Sequence, residues 1–97
     1  MSNAAHTWGG RAVAFKDFTV KDLDAVRTAF GVDNARGMWT VLSLSAFYSD
    51  DGERVFTDAD VVQASPARMA RVLTDMALEA MKVNGMDAAA DGEAPLA

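Results

Sequence analysis

The chain of 97 residues has no cysteine. That single absence removes disulfides, thiolate nucleophiles and cysteine-based zinc sites. It has one histidine, His6, placed just before the breaker pair Gly9-Gly10. A Ser-His-Asp arrangement needs an ordered base held by a second group, so His6 reads as a solvent-exposed side chain. No apolar run approaches the ~20 residues that cross a bilayer. Residues 1–10 lack the basic stretch and apolar block of a secretory signal. There is no GxGxxG, no Walker motif, no HExxH and no internal repeat. The acids Asp50, Asp51, Glu53, Asp58 and Asp60 invite a calcium reading, but Gly52 comes third where an EF-hand loop needs glycine sixth. The expectation is therefore a protein with no catalytic residues, no cofactor, no metal and no membrane span.

Basic residues are also in short supply, and the net charge is −5. Residues 87–97 hold Asp87, Asp91 and Glu93 and no base. An acidic chain repels phosphate backbones, so general nucleic-acid binding is disfavoured. Apolar residues make up 51% of the chain, which is enough to fold. At this length the core is small, and stability leans on partners or self-association. A homo-oligomer is accordingly an open option.

Residues 1–10 read as a flexible start, 11–86 as one helical domain, and 87–97 as an acidic flexible tail. Val13 and Phe15 alternate in a way that suits a short extended segment. Thr19 is a good N-cap, with Asp22 at the capping-box position. Leu23, Val26 and Phe30 then mark one helix face, and Gly31 is a natural stop. Asp33 is placed to cap a buried helix through Met38, Trp39, Val41, Leu42, Leu44 and Phe47. The competing reading makes VLSLSAFY a strand, with Asp50-Asp51-Gly52 as a hairpin turn into Arg54-Val55-Phe56. Helix is favoured, because sixteen residues is long for a strand.

Thr57 then reads as the cap of a short helix with Asp60 at N3. Ser65-Pro66 reads as the N-cap and N1 of the last helix. That helix carries the apolar stripe Met69, Val72, Leu73, Met76, Ala80, Met81 and Val83, and Asn84-Gly85 ends it. Arg71–Asp75 and Glu79–Lys82 are spaced for local ion pairs. The fold class is mainly all-α: three to four helices, with room for a short extended N-terminal segment or hairpin. The core is placed around Leu23, Val26, Phe30, Trp39, Leu42, Phe56, Val72, Leu73 and Met76.

Methionine adapts to irregular surfaces, so the stripe reads both as core and as a binding face. The candidate partner-binding residues are Met69, Val72, Met76, Ala80, Met81 and Val83. The two helix starts around Ala64-Ser65 also allow a helix-turn-helix, in which Arg68 and Arg71 would face DNA.

Residues 37–86, about half of the chain, resemble the tail assembly chaperones of long-tailed phages and prophages. The resemblance is carried by a fixed order of features. An apolar helix, Met38–Phe47, is followed by the acidic turn Asp50-Asp51-Gly52. Then come a Val55–Asp58 helix start, the Asp60-Val61 pair, and a long helix closing in Val83-Asn84-Gly85-Met86. The resemblance implies a mainly helical protein of the host cell cytoplasm. It implies a chaperone that binds the tape measure protein and helps recruit the tail tube subunits, the major tail protein, without catalysis. The alternative is a small phage or bacterial regulator that binds DNA or a protein.

Overall fold

Two glycines set the first turn of the computed structural model, which describes residues 6–86. Gly9 and Gly10 both have positive φ, 60° and 81°. This left-handed pair is what a two-residue hairpin needs to match strand twist. It joins β1 (Thr7–Trp8) to β2 (Arg11–Phe15), with Trp8 opposite Arg11. Residues 7–10 thus belong to the fold, and the boundary expected at residue 11 moves to the N-terminal side of β1. The flexibility expected of residues 1–5 and the acidic flexible tail expected over residues 87–97 lie outside the described residues.

α1 (Val20–Val32) starts as expected. The Thr19 side chain accepts from the Asp22 N–H, and the Asp22 carboxylate accepts from the Thr19 N–H. The helix does not stop at Gly31. It runs on to Val32 and breaks at Asp33, whose extended backbone frees its carboxylate to accept from the Arg36 N–H at 2.7 Å. One residue therefore ends α1 and caps α2 (Asn34–Ser45), a role that requires non-helical backbone. Gly37 lies at the contact between these helices. A Cβ there would stand 2.2 Å from the Phe30 ring.

The two readings of residues 33–48 meet at Ser45. Residues 34–45 are helix, and β3 (Ala46–Tyr48) pairs antiparallel with β2, giving the sheet order β1-β2-β3. The Asp50–Gly52 turn then brings the chain back. Tyr48 N–H donates to the Glu53 carbonyl, and Phe47 bridges Arg54. The helix ends at Ser45 for tertiary reasons. The Ser45 hydroxyl donates to the Lys16 carbonyl, and the Arg54 guanidinium donates twice to the Ser43 carbonyl in the last turn. A cation on a last-turn carbonyl that has no intrahelical partner is favourable at a helix C-terminus.

α3 (Ala59–Gln63) is capped by Asp58, which accepts from the Val61 N–H, one residue later than the Thr57 cap expected. Asp60, assigned to N3 of that cap, instead takes an ion pair from Arg36 at 2.6 Å. The Ser65 cap is also corrected. Pro66 has ψ 142°, outside the helical range, and the chain enters α4 (Ala70–Val83) through a 3-10 turn at Ala67–Met69 that has no side-chain cap. With Pro66 outside the helix, Ser65 is one residue too far out for its hydroxyl to reach an orphan N–H. Asn84-Gly85 ends α4 as expected. Met86 N–H donates to the Met81 carbonyl and Gly85 N–H to the Lys82 carbonyl, which is a Schellman closure.

α2 is the central element, packed against α1, α3 and α4. It divides the interior into two clusters. Leu42 joins Val13, Phe56, Val62, Leu73 and Met76 on one side, and Val41 joins Val26 and Ala80 on the other. Of the expected core, Val26, Leu42, Phe56, Leu73 and Met76 are buried, while Leu23, Phe30 and Trp39 are half-buried. Val72 is the exception: it is 37% exposed and lies on the surface.

Candidate partner-binding surface

α4 presents its outer face to solvent, with an open notch of mixed polar and apolar lining at each end. The first notch, about 440 Å³, lies between the β1 hairpin and the start of α4, lined by Trp8, Met69, Val72 and Asp75 among others. Its wall is firm. The Trp8 ring packs edge-on against buried Phe56, with centroids 5.2 Å apart. The second notch, about 260 Å³, lies between the β2–α1 connection and the end of α4, lined by Asp17, Phe18, Val20, Leu23, Val83 and Met86 among others. Val20 is 86% exposed and Val83 43% exposed.

Asn84 lies in the lining of the second notch. Its Oδ1 accepts from the Phe18 N–H at 2.8 Å, and its Nδ2 donates to the Ala80 carbonyl at 2.9 Å. The same amide lies 3.5 Å from the Ser45 hydroxyl. One side chain thus ties the β2–α1 connection, the end of α2 and the end of α4 together. The side chain that closes the last helix also positions Phe18 against it.

The six candidate partner-binding residues divide between surface and interior. Val72 and Met69 line the first notch, and Val83 lines the second. Met76 and Ala80 are 0% exposed and form part of the interior. Met81 is half-buried and packs on the second cluster. The stripe read from α4 therefore mixes core with surface, because an apolar stripe wider than one face cannot all turn inward. Trp8, Phe18, Val20 and Leu23 also line the notches, and reading α4 alone missed them. Exposed Leu78 was missed too, standing at the middle of the outer face. The signal for Trp8 was present, a large aromatic directly before a Gly-Gly turn.

Four of the five acids considered for metal binding, Asp50, Asp51, Asp58 and Asp60, are engaged as ion-pair partners or as a helix cap. The Arg11 guanidinium stacks 3.7 Å from the Tyr48 ring centroid and donates to Asp50 at 2.7 Å and to Asp51 at 2.9 Å. These bonds raise the Arg11 pKa and hold the Asp50 carboxyl below its ordinary value. The hydrogen bond from Arg36 to Asp60 likewise raises the Arg36 pKa. Among the described residues, no three His, Asp or Glu side chains are placed to hold a metal ion. Also among the described residues, no helix is long and apolar enough to cross a membrane.

The local ion pairs expected along α4 are not formed. Among the described residues the ion pairs are Arg11–Asp50, Arg11–Asp51 and Arg36–Asp60. Among the described residues neither Asp75 nor Glu79 has a cation at ion-pair distance, since pairs near the surface gain too little to hold long side chains in place. Comparison with protein-family models, with curated proteins and with solved structures finds no match.

Proposed function

We propose that the chain is a tail assembly chaperone of a long-tailed phage or prophage. It binds the helical tape measure protein in the host cytoplasm, helps recruit the major tail protein, and performs no catalysis. The reading is supported by the order of features in residues 37–86 set out above. The structural observation that carries it is the pair of open notches on α4, with the apolar side chains Val72 and Val83 exposed in them. Apolar side chains left outside so small a core are suited to cover the faces of a long, sticky helical partner. The net charge of −5 would keep such a complex dispersed.

The test is co-expression with the tape measure protein of the same phage or prophage. The expected result is a soluble complex that elutes as one species. A tape measure protein equally insoluble with and without the chain ends this reading. The regulator alternative has exposed Arg68 in the 3-10 turn and exposed Arg71 in the first turn of α4. Against it, α3 and α4 each pack mainly on α2 rather than on one another. A specific DNA shift at moderate salt would move the assignment to the regulator.

A further inference from the structure

We propose that the edge of α4 from Val72 to Val83 receives a basic amphipathic helix of the partner protein, an inference that rests on the partner-binding reading above. Val72, Glu79 and Val83 follow one another at helical spacings of seven and four, so they share one edge. Val72 lines the first notch and Val83 the second. Eleven residues separate them, three turns or roughly 16 Å of helix. A partner helix with large apolar residues eleven positions apart, laid along this edge, would seat one in each notch.

The charges select the occupant. Asp75 lines the first notch, Asp17 lines the second, and half-buried Glu79 lies between them. Neither Asp75 nor Glu79 has an ion-pair partner among the described residues. Arg68, Arg71 and Lys82 are exposed in the same stretch, but none of them lines either notch. A second copy is a poor occupant. Docked parallel, it sets Asp75 and Glu79 against themselves; docked antiparallel, it sets each beside the other, and like charges there are repulsive. Residues 87–97 are poor for the same reason, with three acids and no base. A helix bearing Lys or Arg between its two apolar anchors satisfies both the notches and the carboxylates.

The experiment uses the full chain and two labelled synthetic peptides of about 20 residues, long enough to span the edge. Both are alanine-based helices with leucines eleven residues apart; one carries lysines along the flanks and the other glutamates. Fluorescence anisotropy should show the lysine peptide binding, more weakly as salt is added. The glutamate peptide should bind at least roughly tenfold more weakly. The variant Asp75→Lys/Glu79→Lys, with its fold checked by circular dichroism, should reverse the preference. Equal binding of the two peptides, no binding of either, or an unreversed preference overturns the proposal. So does a wild-type dimer that Val72→Glu disperses, because it assigns the edge to a second copy. Comparing the peptides on the wild-type chain requires no variant to fold.

Co-expression separates this inference from the chaperone reading. If Asp75→Lys/Glu79→Lys rescues the tape measure protein as well as wild type does, the edge is not its seat and only this inference fails. If the peptides behave as expected and the tape measure protein is not rescued, the chaperone reading fails and the edge assignment stands.

Discussion

Among the described helix caps, Asn84 is the one whose side chain reaches across the fold, bonding Phe18 and Ser45 as well as Ala80 one turn back. Removing it leaves the Phe18 N–H without its acceptor in a half-buried setting. Asn84→Ala should therefore cost about 1–3 kcal/mol, read as a lower urea midpoint with an unchanged slope. A variant with the wild-type midpoint would show that water replaces the amide at no cost. Gly37 is the second sensitive residue. The Phe30 ring lies where its Cβ would go, so Gly37→Ala should destabilise by about 1–3 kcal/mol despite alanine's better helix propensity. A double-mutant cycle with Phe30→Ala should show coupling, because the clash is removed with the ring. Additive effects would place the cost elsewhere in α2.

At the scale of elements, local chemistry was legible in the amino-acid order and long-range chemistry was not. Thr19 with Asp22, Asp33, and Asn84-Gly85 were each read correctly because their bonds close within a few residues. Thr57 and Ser65 were misread because a better acceptor, Asp58, stood next to one, and because Pro66 stays extended after the other. Asp58→Ala should thus cost on the order of 1 kcal/mol in thermal unfolding, whereas Thr57→Ala and Ser65→Ala should leave the midpoint nearly unchanged. The reverse order of effects would restore the earlier cap positions. The end of α2 at Ser45 depends on Lys16 and Arg54, which no window around Ser45 contains. For the same reason the surface site was half legible: Val72 and Val83 were read from α4, and Trp8 and Phe18 on other elements were not. The link from Arg11 to Asp50 gives this scale its pH dependence. Asp50 is held below its ordinary value of 3.8, so the folded form gains stability from it above that pH and loses it as pH falls below. Asp50→Asn should remove that part of the acid transition, visible by comparing unfolding midpoints at neutral and acid pH.

For the whole molecule, the question is whether two interior clusters make two folding units or one. α2 supplies Leu42 to the first cluster and Val41, on the adjacent helical position, to the second. Both are fully buried, so neither cluster is complete without the same helix. α4 repeats the arrangement, with Met76 in the first cluster and Ala80 one turn later in the second. Two helices shared in this way should make unfolding all-or-none. The tryptophans give a direct reading, because Trp8 and Trp39 both pack on the first cluster. Val41→Ala removes two methyl groups from the second cluster, at a cost of roughly 2 kcal/mol. If the domain is one cooperative unit, that variant lowers the urea midpoint seen by tryptophan fluorescence by as much as the midpoint seen by helical circular dichroism. If the fluorescence midpoint stays in place while the helical signal moves, the clusters unfold separately. The second notch, built on the second cluster through Phe18 and Met86, would then open before the first.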